Sequence, residues 1–225
     1  MKELCVKILE FFDRKFFAGF FVYVLVAVLA GWLAEAIKAR HWFGAWDVLI
    51  SRYFISLRSD WLTFLMKCVT QLGGAELGGV IVIAILLFLT LKKRYMHSVA
   101  LALAVGVSYL ASLSVKHIFS RPRPLANPLV PEDGFSFPSS HAAVGIALYG
   151  ILMYFLISHF EKTWQKALVV IFGSALILAI GASRIYLAVH WPSDVIGGYI
   201  FGGLWLGIII WLVRSWRAQE KQMRV

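Results

Sequence analysis

A run of about 20 apolar residues with few charges crosses a hydrocarbon core as a helix, because a helix satisfies its own backbone N–H and C=O groups where no water can. This chain carries six such apolar blocks, over residues 16–37, 62–91, 98–115, 142–158, 167–182 and 195–213. They raise the hydrophobic share to 60% of 225 residues, whereas a soluble domain of this size sits near about 45–50%. The pattern predicts an all-α, polytopic bundle of six transmembrane helices with short interfacial helices. No composition shift, linker or repeat divides it, so a single membrane domain is expected over 1–225, with its six-helix core over 16–213. Strand-like alternation is absent, which argues against an outer-membrane barrel. The second block is long and holds Lys67, Gln71 and the pairs Gly73-Gly74 and Gly78-Gly79, so its first part is expected to lie shallow at the interface before the chain crosses.

The net charge is +10, but the basic residues fall in short clusters between apolar blocks rather than along one face. That distribution fits the positive-inside bias and anionic head groups, and argues against nucleic acid. Lys92, Lys93, Arg94, Lys162, Lys166, Arg214, Arg217, Lys221 and Arg224 share one side of a six-helix arrangement with Lys2, Lys7, Arg14 and Lys15. By the Lys/Arg rule that side is cytoplasmic, with both termini inside and 214–225 a basic cytoplasmic tail. Glu3, Lys7, Glu10 and Arg14 form a polar stripe that predicts a cytoplasmic surface helix over 1–15. The first block contains Ala34-Glu35-Ala36, formally a cleavage pattern, but is longer than a signal-peptide core and reads as a retained anchor. Cys5 and Cys68 fall on opposite faces, too far apart to pair, and neither has metal-ligand spacing.

Three polar clusters then fall on the opposite, external side. The third block runs into Lys116 and HIFSRPRP; the fourth opens with FPSSH; GASRIYLAVHWPSD joins the fifth and sixth. An isolated interfacial Arg, His or Lys is ordinarily an anchor or a snorkelling side chain, and a lone Asp194 is ordinarily a helix cap. Convergence on one membrane face points instead to a site. Lys116, Arg123 and Arg184 are fixed cations suited to phosphate oxygens. Pro138-Ser139-Ser140-His141 reads as a helix start, whose amides and Ser139 hydroxyl can cradle an anion. His190 and Asp194 lie four residues apart, so Asp194 can hold the imidazole Nδ1–H and leave Nε2 as a nucleophile. His141 is suited to proton donation near neutral pH.

These residues resemble the type 2 phosphatidic acid phosphatase superfamily. The first motif is a lysine, six residues and Arg-Pro, here Lys116, HIFSRP, Arg123 and Pro124. The second is Pro-Ser-Gly-His, here Pro138-Ser139-Ser140-His141, with serine at the glycine position. The third is Ser-Arg, five residues, His, three residues and Asp, met by Ser183, Arg184, His190 and Asp194. The resemblance spans about 60–213 and implies a cofactor-free, metal-independent lipid phosphatase working through a phosphohistidine. His190 would attack phosphorus, Asp194 would orient it and His141 would move the leaving-group proton. Lys116, Arg123, Arg184, Ser139 and the amides near Ser140 would hold the phosphate.

The implied protein sits in a bacterial inner membrane with its site facing the periplasm, and needs no obligatory protein partner. Undecaprenyl diphosphate is the first expected substrate; phosphatidylglycerol phosphate, phosphatidate, lipid A phosphate and lipid-to-lipid phosphotransfer are alternatives. A non-catalytic lipid sensor or transporter is the alternative of a different class. Outside the motifs, Arg121 reads as an accessory cation and Glu132 and Asp133 as solvating their loop; Lys67 and Glu76 read either as lining a lipid entrance or as snorkelling and kink residues. Gly198, Gly202, Gly203 and Gly207 read as a close-packing face of the last helix.

Overall fold

The structure, a computed structural model, describes residues 43–124 and 127–223, with side chains from 44 to 217. The first apolar block, the expected surface helix over 1–15, Cys5 and the last two residues lie outside the described residues. Among the described residues seven helices follow in order: α1 Phe43–Ser56, α2 Asp60–Gln71, α3 Leu77–Leu91, α4 Tyr95–Phe119, α5 Ser140–Ile157, α6 Thr163–Tyr186 and α7 Pro192–Met223. No strand occurs among the described residues.

Four of these helices, α4 to α7, are long and apolar enough to cross a membrane, and α3 is a shorter apolar helix. The long second block is therefore not one element. It breaks at 72–76, where successive amides of Leu72, Gly73 and Gly74 close back on the carbonyls of Val69, Thr70 and Gln71. The preceding half is α2, capped by Ser59, whose hydroxyl accepts the Leu62 N–H. Helix α1 lies between the first two blocks and was not expected as an element. At the other end, α7 runs on as helix to Met223, so residues 214–223 of the expected basic tail are helical.

Helix α5 is the hub, packed against α4, α6 and α7. It can be surrounded because it buries small residues: Ala142, Ala143, Gly145, Ala147 and Gly150. A Cβ on Gly198 would stand 2.5 Å from the Ser139 carbonyl, and one on Gly202 would stand 2.3 Å from that of Ala143. These two glycines let α7 lie directly on the α5 backbone, as the spacing predicts. Gly207 has open space where its Cβ would be, so the packing stripe ends before it. Farther along, Leu101, Ala104, Leu148, Ile151, Phe155, Ile209 and Val213 form the apolar core shared by α4, α5 and α7. Leu110, Ile118, Ile171, Phe172 and Leu178 point outward and are exposed. Apolar side chains displayed along such helices suit lipid as solvent, not water.

The charged groups separate to opposite ends of these helices. Arg94 Nη1 meets His159 at 3.2 Å and Arg217 Nη2 meets His97 at 2.7 Å, at the start of α4 and the end of α7. Lys116, in the last turn of α4, belongs to the other end.

Candidate active site

At that second end the chain brings together the last turns of α4 and α6 and the first turns of α5 and α7. Helix α6 stops after Tyr186 with Ala188 in the left-handed region, φ 57. The Ala188 N–H returns to Ile185 O and the Val189 N–H to Arg184 O, a Schellman closure built on alanine where glycine is usual. This reversal turns His190 back into the bundle, where it is 1% exposed. Pro192 then opens α7 at its first helical position. Asp194 reaches back to accept the Trp191 N–H at 2.8 Å, half of a capping box. Asp194 is thus a cap as well as a site carboxylate.

The His190 ring has a definite polarity. Nε2 faces Arg123 Nη1 at 3.3 Å. A guanidinium only donates, so Nε2 carries the lone pair and the proton resides on Nδ1. Nδ1 points toward Asp194 Oδ2 at 3.5 Å, longer than an ordinary hydrogen bond, and has no closer partner. Burial pushes the imidazole down to about 4, against the opposing pull of Asp194. The ring is therefore neutral near pH 7. Asp194 itself, fully buried, accepts from Arg121 Nη1 at 2.5 Å, from the Ser136 hydroxyl and from Trp191 N.

Around Nε2 stand the cations. Arg123 donates to Val189 O at 2.8 Å, Gly134 O at 3.0 Å, Asp133 O at 2.8 Å and Phe135 O at 3.3 Å. Lys116 Nζ donates to the same Phe135 carbonyl at 2.7 Å, so two cations converge on one oxygen. Arg184, 1% exposed, donates to Thr70 Oγ1 at 2.8 Å and pairs with Glu132, which also lies 3.6 Å from Arg123. Burial would raise the Glu132 carboxyl, but Arg184, His141 and Arg123 bring it below its ordinary value. A carboxylate thus already stands between the two arginines, one oxygen toward each.

The helix start supplies the rest. Ser139 is buried at the N-cap of α5: its N–H donates to Asp194 O at 3.0 Å, and its hydroxyl accepts the Ala142 N–H at 3.5 Å. Ser140 is the first helical residue and not in the left-handed region, so serine at the glycine position needs no strained backbone. Its hydroxyl meets Ser112 Oγ on α4 at 3.0 Å. His141 packs under the α2–α3 turn: a Cβ on Gly74 would be 3.2 Å from His141 Nε2.

All eight residues picked out from sequence lie in this one region. One reading needs correction: Glu132 does not solvate its loop but pairs with Arg184, and Asp133 contributes its backbone carbonyl to Arg123. Arg121, read as an accessory cation, is clamped between Asp194 and Asp47 of α1. Thr70, Ser136 and Asp47 were missed, since none has a spacing relation to the motifs. Lys67 and Glu76 are exposed, and Glu76 stands at the α2–α3 break, which favours the kink reading for it. Cys68 is free and exposed.

Described residues without a strand, lipid-suited outer faces and a buried histidine among phosphate-suited cations define a multi-pass membrane phosphatase. The chain belongs to the PAP2 superfamily, whose family model matches residues 97–218. It is 30% identical to phosphatidylglycerophosphatase B of Bacillus subtilis over 79% of this chain and 86% of that protein. It is 34% identical to YbjG of Escherichia coli, provisionally named an undecaprenyl-diphosphatase, over 55% of this chain and 60% of that one. The crystal structure of a transmembrane PAP2-type phosphatidylglycerolphosphate phosphatase from Bacillus subtilis is similar with a TM-score of 0.76 and 28% identity, covering 88% of this chain and 96% of that chain. As in these relatives, the activity is hydrolysis of lipid phosphate esters.

Proposed function

We propose that this protein dephosphorylates a membrane lipid through a phosphohistidine on His190. The observation that carries the reading is the polarity of that ring, with its Nε2 lone pair turned to the arginine cluster and its N–H turned to a buried carboxylate. A phosphate entering between Lys116, Arg123 and Arg184 displaces Glu132 and the loop carbonyls from their cations. Nε2 attacks phosphorus, and the bond from phosphorus to the lipid oxygen breaks as His141 gives that oxygen its proton. Asp194 stabilises the charge that develops on the imidazole ring. The three cations, Ser139 and the first amides of α5, including that of Ser140, stabilise the equatorial oxygens. His141 then takes a proton from water, which attacks phosphorus and returns the electron pair to Nε2.

For substrate, phosphatidylglycerol phosphate takes precedence over the undecaprenyl diphosphate favoured by sequence. The supporting fact is coverage: the phosphatidylglycerophosphatase is matched along 86% of its length, YbjG along 60%. Undecaprenyl diphosphate is the second reading. The site faces the exterior of a bacterial inner membrane in this proposal, because Arg94, Lys162, Arg214 and Arg217 collect at the other end. Phosphate release from purified lipids in detergent tests the assignment. Turnover of phosphatidylglycerol phosphate should exceed that of the diphosphate, and the reverse order would return the second reading to first place.

A further inference from the structure

Helix α7 begins with amides that its own N-cap cannot satisfy, because Trp191 has no side-chain acceptor. The acceptor comes from another element. Asp47 of α1, 2% exposed, takes the Ser193 N–H on Oδ1 at 2.9 Å and the Ser193 hydroxyl on Oδ2 at 2.6 Å. The same Oδ2 receives Arg121 Nη2 at 2.6 Å. Arg121 Nη1 in turn donates to Ser193 Oγ at 2.8 Å and to Asp194 Oδ1 at 2.5 Å. Asp47, Ser193 and Asp194, all buried, are joined through the partly buried Arg121 in one network, and the Arg121 guanidinium lies 5.8 Å from the Trp191 ring centroid.

The charge count in this network decides what it does for His190. Arg121 alone beside Asp194 would cancel the carboxylate that the ring needs when the P–N bond forms and the imidazole becomes cationic. With Asp47 present, two carboxylates share one guanidinium, and one negative charge is left to face the ring. We propose that Asp47 is a positioning residue for the phosphohistidine step: it caps α7 from α1, holds Arg121 in place and offsets its charge, so that Asp194 acts on His190 as an uncancelled carboxylate. The inference rests on the roles given above to His190 and Asp194. Residue 47 lies outside the stretch matched by the family model.

The test uses the full chain in detergent, with phosphate release and thermal unfolding measured together. Asp47→Asn keeps the shape of the side chain and removes its charge. It should lower kcat about tenfold while KM changes less than about threefold. Adding Arg121→Gln restores one net negative charge, so Asp47→Asn/Arg121→Gln should recover activity above Asp47→Asn alone, a gain that a purely structural role would not produce. Ser193→Ala keeps all three charges and should cost less than Asp47→Asn. If Asp47→Asn is not recovered folded, Asp47→Ser is expected to show the same fall.

A wild-type kcat in a folded Asp47 variant overturns the proposal. So does a double variant no more active than Asp47→Asn, or a Ser193→Ala loss as large as that of Asp47→Asn. His190→Ala run in parallel separates the two levels. Turnover there removes the phosphohistidine reading itself, whereas a silent Asp47→Asn beside an inactive His190→Ala removes only the charge sharing.

Discussion

Arg121 and Arg123 stand two positions apart and do different work. Arg123 meets the lone pair of His190, while Arg121 turns to the carboxylate behind the ring. The family's motif, with its lysine-to-arginine interval, singles out Arg123. Nothing in the sequence says where Arg121 points, since its partner Asp47 is distant in the chain and belongs to an unrecognised helix. Arg123→Lys keeps the charge and loses the planar fork that holds several acceptors at once. It should lower kcat/KM for phosphate release by about tenfold or more. The ring makes a second prediction. Its folded value of about 4 lies below the 6.5 of an unfolded histidine, so the unfolded chain binds the extra proton first as the medium is acidified. Stability from this group is present above about pH 6.5, is lost as pH falls toward 4 and changes little below that. Replacing His190 with Gln should remove this component, visible as a shallower fall of the unfolding temperature between those pH values.

At the scale of elements, the apolar blocks located α4 to α7 because a membrane span leaves a continuous record in composition. The same record could not resolve α1, or the break between α2 and α3, whose signals are local turns and caps embedded in apolar sequence. The small-residue stripe on α7 was legible as a packing face, but not where it would end. Gly202→Ala forces a methyl group onto the Ala143 carbonyl and should cost about 1–3 kcal/mol. Gly207→Ala meets open space and should leave the unfolding temperature unchanged or higher. Thermal unfolding in one detergent compares the two directly. At the end of α6, left-handed Ala188 holds a conformation that costs an alanine about 1–2 kcal/mol. Ala188→Val should lower stability further, because a β-branched side chain tolerates that region worse than alanine.

For the whole molecule, the site was legible because its three motifs share one end of the bundle, a consequence of helix parity that sequence alone can count. The bonds within the site were not, because Glu132 and Asp47 reach it through loop geometry and through a helix outside the motifs. Orientation gives a test at this scale. In a background lacking Cys5 and Cys68, Pro128→Cys in the exposed loop at the site end should react with an impermeant maleimide on intact cells. Lys162→Cys at the start of α6 should react only after permeabilisation; the opposite pattern would reverse the proposed topology.

The central claim is that phosphorus is bonded to His190 during turnover. Protein mixed with excess lipid phosphate, quenched in alkali and digested should yield the peptide containing His190 carrying one phosphoryl group, labile to acid and absent from His190→Ala. Full turnover in His190→Ala, or a trapped phosphoryl group on any other residue, would contradict the account.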